Sequence, residues 1–390
     1  MRRRAVILVL DGVGIGQAPD AAAYGDVGSD TLGHVCATVA DIALPNLQRL
    51  GLGNIRRLEH LPPAEAPTAA WGLMQPASAG KDSTTGHWEI AGLHLARPFP
   101  TYPGGFPREV IDAFARATGR GVIGNVAASG TEIIERLGEE HQRTGHWIVY
   151  TSADSVFQVA AHEHTVPLEE LYAACETARR QLVAPNDVSR VIARPFVGEP
   201  GAYRRTANRR DFSIAPPDET LLDALAAAGV PRAGVGKVDD LFAGRGIRSR
   251  HTSGNAEGIR DVLEWLQGEQ GGLLFANLVD FDTLYGHRND AAGFARALRE
   301  LDDALPAIGA ALREDDLLFI TADHGNDPTT ASTDHARENV PLLALGDVVH
   351  PMSLGARRTF SDLGATVAEW LNVGFRGAGT SFLPQLERGP

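Results

Sequence analysis

The chain reads as an α/β protein: a doubly wound, mostly parallel sheet forms the core, and an inserted α+β cap domain divides it. Three observations lead there. Short apolar runs alternate with amphipathic segments of helical period, the pattern of a parallel sheet with helices on both faces. Three of those runs, Ala5 to Leu10, Leu273 to Val279 and Leu317 to Ile320, lead directly into aspartates: Asp11, the pair Asp280 and Asp282, and Asp323. Open parallel sheets gather functional residues at the carboxyl ends of strands, where loops converge on one crevice. Proline and glycine also cluster at Pro98, Pro100, Pro103, Gly104 and Gly105 and again at Pro216 and Pro217, as hinges would. The expected division is core over 1–97 and 216–390, cap over 98–215.

Taken in order, Ala5 to Leu10 is the first core strand. Met1-Arg2-Arg3-Arg4 before it mimics the start of a signal peptide, but Asp11 ends the apolar run too early and no small-residue cleavage site follows. Gly12, Gly14 and Gly16 come next. A dinucleotide fingerprint would need glycine at position 17, where Gln17 stands, so these small residues are read as leaving room beside Asp11. Helices are expected over 29–40 and 45–50, the second opened by Pro45. In Ala77 to Gly92, ASAGKDSTTGHWEIAG, three hydroxyls stand together: Ser83, Thr84 and Thr85. Either Ser83 or Thr84 caps a helix running from His87, or one hydroxyl is a nucleophile at a helix N-terminus, where phosphate is also favoured.

Within the cap, helices are expected over 108–118 and 168–183 and strands over 146–151 and 188–196. Arg194, Arg204, Arg205, Arg209 and Arg210 crowd its end, either as a solvated edge or as an anion site. Beyond Pro217 come a helix over 220–228, a strand into Gly234 to Lys237, and a helix over 256–267. The strand ending near Asp280 is followed by a helical face over 292–313 that Pro306 should interrupt. A strand to Ile320, an apolar run over 340–345 and a helix over 361–371 complete the core.

The chemistry concentrates at the ends of the three acidic strands. Thr321 to His335, TADHGNDPTTASTDH, carries Asp323, His324, Asp334 and His335. Asp280 to His287 adds a second set with aspartate and histidine. Carboxylates and imidazoles without cysteine suit manganese, zinc or magnesium, and two such ions a few ångströms apart form a clamp for phosphoryl transfer. Of 36 Lys and Arg residues only Lys81 and Lys237 are lysine; either the bias reflects codon composition, or both are candidates for positions where a compact ammonium is needed.

A formal net charge of −13 argues against nucleic acid as a partner. No window approaches eighteen apolar residues, so no membrane span is expected. Cys36 and Cys175 lie too far apart in sequence to suggest a disulfide framework, which points to the cytoplasm. No obligatory protein partner is evident.

The motifs DGVGIG, GKDSTTGHWEIAG, NLVDFDTLYGH, TADHGNDPTTASTDH and GTSFL, spread nearly end to end, resemble those of the phosphopentomutase family in the alkaline phosphatase superfamily. The resemblance implies an alkaline phosphatase-like core and two manganese ions. One would be held by Asp282, His287 and His335, the other by Asp11, Asp323, His324 and the nucleophile, which it identifies as Ser83. The family usually carries threonine there. It further implies interconversion of ribose 1-phosphate and ribose 5-phosphate, and of the 2-deoxy sugars, through a phosphorylated enzyme. A sugar bisphosphate such as glucose 1,6-bisphosphate or ribose 1,5-bisphosphate would act as primer. In the cap, YTSADSVFQVAAHEH is similar to the family's ribose-facing segment, which suggests Asp154 as a hydroxyl acceptor, while Arg194, Arg209 and Lys237 match phosphate-binding positions. His162 and His164 are expected to share one side of an extended segment in a structural role. The alternatives are a metal-dependent phosphatase or phosphodiesterase and a cofactor-independent phosphoglycerate mutase-like enzyme.

Overall fold

The computed structural model describes residues 3–152 and 154–388. Met1 and Arg2, at the head of the basic N-terminal run, lie outside the described residues. The chain divides into two compact units, Met1–Pro98 with Pro216–Pro390, and Phe99–Ala215.

The first unit is built on an eight-stranded sheet. In spatial order its strands are Ser249–Arg250, Arg232–Val235, Gly272–Leu278, Arg4–Leu10, Asp316–Thr321, Val340–Leu345, Ala70–Met74 and Ser353–Arg357. The three central strands are parallel and buried on both faces, which explains their unbroken apolar runs. Their register decides where the chemistry falls: Leu10 pairs with Leu278, and Val9 with Thr321, so all three strands end at the same height. Val340–Leu345 is antiparallel to both of its neighbours, making the sheet mixed but mostly parallel. Arg4, buried at the start of its strand, forks onto the Asp316 carboxylate and donates to the Leu266 carbonyl at 2.8 Å.

Pro306 does not interrupt its helix, which runs unbroken over Ala291–Ala311. A proline removes the hydrogen bond to the carbonyl four residues earlier, here that of Asp302. The Asn46 side chain supplies the missing donor, Nδ2 lying 3.0 Å from the Asp302 carbonyl oxygen. The Asp302 carboxylate in turn accepts from the backbone amides of Asn46 and Leu47, opening the Pro45–Leu50 helix.

None of the three adjacent hydroxyls caps the helix that follows. The helix covers Ser83–Ile90 and its cap is Asp82, whose carboxylate accepts from the Thr85 amide at 3.1 Å and the Thr85 hydroxyl at 2.6 Å. Ser83 is therefore the first helical residue and not the cap. Gly86 lets this helix press onto the strand-end loop, since a Cβ there would sit 2.1 Å from the Asp323 carbonyl oxygen.

The inserted unit has a six-stranded mixed sheet of its own. Along Trp147–Thr151 the side chains alternate between two cores. Trp147 and Val149 pack with Phe114, Leu171 and Cys175 of the Arg108–Thr118 and Leu168–Gln181 helices. Ile148 and Tyr150 pack with Ile133 and Ile134 of the Gly130–Thr144 helix. The Val156–His162 strand ends at His162, whose buried ring bonds the Gly198 carbonyl at 3.0 Å. His164 lies past the strand, in the turn that follows it.

Candidate active site

The common height of the central strand ends brings the acidic residues of the first unit together. Asp11 directly follows Leu10, and Asp323 stands two residues beyond Thr321. Asp282 sits in a short helical turn, Phe281–Tyr285, that begins just after its strand. Gly12, with φ of 77°, turns the chain sharply enough for its amide to donate to Asp323 Oδ1 at 3.1 Å. Ser83 projects into the same place. Its Oγ lies 3.4 Å from Asp11 Oδ1, 3.1 Å from His324 Nε2 and 3.5 Å from Lys237 Nζ.

The histidines are oriented from behind. His324 Nδ1 is 3.0 Å from the Gly325 carbonyl and His287 Nδ1 is 2.6 Å from that of Thr333. A carbonyl can only accept, so in each ring Nδ1 carries a proton and Nε2 is the nitrogen turned toward the carboxylates. His324 Nε2 then lies 3.2 Å from Asp11 and 3.4 Å from Asp323, while His287 Nε2 lies 3.3 Å and His335 Nε2 3.5 Å from Asp282.

This donor set fits divalent metal ions. The ligand atoms of Asp282, His287 and His335 fall within 4.8 Å of one another, as do those of Asp11, Asp282 and His324. Asp323 Oδ2 and His335 Nε2 are buried without a hydrogen-bond partner among the described residues, as expected of atoms that await a cation. Electrostatics agree. Burial works against charge on Asp11, but Lys237, 2.7 Å away, and His324 hold its carboxyl well below the usual range. Burial likewise opposes ionisation of Asp282, and His335 and His287 outweigh it. Burial alone would favour a neutral His324, yet Asp323, Asp11 and Asp282 push it up to about 10. Carboxylates that recruit a buried imidazolium are a set in which a divalent ion displaces that proton.

Several residues not singled out from the sequence support this cluster. Asn326 donates from Nδ2 to Asp282 Oδ1 at 2.7 Å. Arg337, buried, bonds Asp20 and the carbonyls of Pro76, Ser78 and Gly80, tying the loop before Ser83 to the segment bearing His335. Lys81 pairs with Asp26 at 3.1 Å and Asp334 at 3.3 Å, so of the two lysines only Lys237 reaches the cluster. Asp334 is half exposed and turned to Lys81.

Within the inserted unit, Asp154, Arg194 and Arg209 line a cleft of about 300 Å³ together with Gln158, Arg190 and Arg205. Arg194 Nε donates to Gln158 at 3.0 Å, Arg209 forks onto Asp211 at 2.7 Å, and Arg190 lies 3.7 Å from Asp154. Arg190 does not stand out in the sequence beside the arginine cluster that follows it. Alternation along Arg190–Val197 places Arg190, Ile192 and Arg194 on one face, a period-two signal that could have found it.

Comparison with known proteins gives this arrangement its context. The family model described as the metalloenzyme superfamily matches residues 3–374. The phosphopentomutase of Anaeromyxobacter sp. (strain K) is 59% identical over 390 residues, covering 100% of both chains. That of Dictyoglomus turgidum is 56% identical over 389 residues, covering 99% of each. Among solved structures, Leishmania mexicana phosphoglycerate mutase aligns over 98% of this chain and 97% of its own with a TM-score of 0.51 and 12% identity, a likeness of fold. Fold and sequence thus define a metalloenzyme of the doubly wound α/β class. Within that superfamily the chain belongs to the phosphopentomutases, and it is a phosphotransferase-type mutase, an isomerase.

Proposed function

We propose that the enzyme interconverts ribose 1-phosphate and ribose 5-phosphate, and their 2-deoxy counterparts, through phosphorylated Ser83 and a sugar bisphosphate. The observation that carries this reading is the position of Ser83 Oγ, within 3.5 Å of Asp11, His324 and Lys237 at the first residue of a helix. Phosphoserine would give its phosphoryl group to the free hydroxyl of a pentose monophosphate. The new P–O bond forms as the bond to Ser83 Oγ breaks, and the bisphosphate then returns its other phosphoryl group to Ser83. A bisphosphate primer, such as glucose 1,6-bisphosphate or ribose 1,5-bisphosphate, charges the resting serine. Two divalent ions, manganese by family resemblance, held by Asp282, His287 and His335 and by Asp11, Asp323, His324 and Ser83, would supply the Lewis acidity that offsets charge on the reacting oxygens.

The chain contributes the rest. Amides at the start of the Ser83 helix favour an anion beside it. Burial opposes charge on Lys237 but Asp11 and Asp282 outweigh it, so Lys237 stays protonated and can contact phosphate. Asp154 is proposed to accept sugar hydroxyls, and Arg194 and Arg209 to contact phosphate. Both cysteines are free and buried, which supports a reducing cytoplasmic setting. Among the described residues no helix is long and apolar enough to cross a membrane.

The test supplies manganese-loaded enzyme with ribose 5-phosphate and a trace of sugar bisphosphate. Ribose 1-phosphate should form without stoichiometric free phosphate; phosphate release with no isomer would replace this reading with a phosphatase.

A further inference from the structure

His87 has no role in the chemistry above, yet it lies fully buried one turn after Ser83 on the same helix. Its Nδ1 is 2.9 Å from the Ser83 carbonyl oxygen and 3.1 Å from Asp323 Oδ2. Both neighbours can only accept, so Nδ1 must carry the proton. At the far side of the ring Nε2 faces Asn277, whose Nδ2 is 3.3 Å away, and the ring stacks on Phe275 with centroids 5.5 Å apart.

Asn277 is itself unexpected. It is fully buried on the central strand Gly272–Leu278, among apolar neighbours, where an amide costs free energy unless it is bonded. Its Oδ1 has no partner among the described residues, and its Nδ2 is aimed at His87. An amide donor at that point leaves Nε2 as the acceptor, which keeps the proton on Nδ1. With the opposite tautomer, the Nδ1 lone pair would face two oxygens and repel both.

We infer that His87 is a positioning residue: locked as the Nδ1–H tautomer by Asn277, it couples the Asp323 carboxylate to the backbone of Ser83. Asp323 then has Gly12 donating to Oδ1, while the His87 Nδ1–H, bonded to the Ser83 carbonyl, lies 3.1 Å from Oδ2 as a charge contact that leaves this oxygen open to a cation. The distance between one metal ligand and the attacking hydroxyl is set by one imidazole. This rests on Asp323 as a ligand and Ser83 as the nucleophile.

The experiment titrates manganese into wild type, His87→Phe, His87→Asn and Asp323→Asn by calorimetry, and measures phosphoserine by mass spectrometry. Phenylalanine keeps the stack on Phe275 but donates nothing; asparagine places an N–H where Nδ1 stood. Wild type should bind two ions, and Asp323→Asn should lose one. His87→Phe should weaken that same ion by about tenfold or more while leaving the other nearly unchanged, and should cut phosphoserine yield. His87→Asn should restore most of both. A purely structural histidine would instead weaken both ions together, with no rescue by asparagine, and that result overturns the inference. If wild type bound no second ion, or Asp323→Asn lost none, the ligand assignment would fall first and the inference with it. Should His87→Phe not fold, ¹⁵N spectra of wild type decide: a protonated Nδ1 and a bare Nε2 support the inference, and the reverse tautomer refutes it.

Discussion

Ser83 is where the chemistry is tested most directly. Thr85 commits its hydroxyl to the Asp82 cap, and the Ser83 hydroxyl lies 3.4 Å from Asp11 and 3.1 Å from His324. Ser83→Ala should therefore keep most of the bound metal but form no phosphoenzyme, while Ser83→Thr should retain substantial activity, since only a methyl is added at Cβ. Phosphate mapped by mass spectrometry to Thr84 or Thr85 would move the nucleophile. Glu338 offers a test without metal. Burial pushes its carboxyl up to about 8 from an ordinary 4.5, against donors from Thr31. The folded state thus holds this proton more tightly than the unfolded chain, so the stabilisation is complete below 4.5 and is lost as pH rises through 8. Glu338→Gln should flatten the fall in stability over that window in denaturant melts; parallel slopes for wild type and variant would rule it out. The clustered aspartates and histidines stood out in the sequence because these residues are conspicuous at the end of an apolar run. His87, Asn277 and Asn326 did not, because a buried positioning contact depends on which strands become neighbours.

Among the elements, Pro45–Leu50 and Arg108–Thr118 were read with the observed bounds. Their signals are local: a proline at N1 in one, an amphipathic run closed by Gly119 in the other. The Ala291–Ala311 helix shows the limit. Nothing local says that Pro306 is tolerated, because the compensating donor, Asn46, comes from far along the chain. Asn46→Ala should leave the Asp302 carbonyl unpaired in a buried position and cost about 1–3 kcal/mol, measurable as a shifted denaturant midpoint; an unshifted midpoint would mean that water or a relaxed backbone replaces it. The Gly130–Thr144 helix was missed because its apolar stripe is narrow, resting largely on Ile133 and Ile134. Ala70–Met74 was missed because five residues containing a glycine carry little strand signal.

At the scale of the molecule, each unit has its own sheet and its own buried residues. Residues 99–215 made alone should give a cooperative thermal transition with native-like helix and strand content; a featureless melt would show that this unit depends on the rest of the chain. The outline of the insertion was legible because proline and glycine collect at its ends. The mixed order of its sheet was not, since pairing between distant strands leaves no mark in either one.

The central position of the Arg4–Leu10 strand bears on how the protein is made. Its two sheet neighbours, Gly272–Leu278 and Asp316–Thr321, are translated more than two hundred residues later. This strand therefore waits for its distant partners before it can pair, whereas the inserted unit is contiguous and can close as soon as it emerges. In pulse-labelled hydrogen exchange during refolding, amides of Trp147–Thr151 should gain protection before those of Arg4–Leu10. Simultaneous protection would show that the two form in one step. If the order holds, a truncated product lacking the last third of the chain would carry a finished insert, an unpaired apolar strand and no active centre.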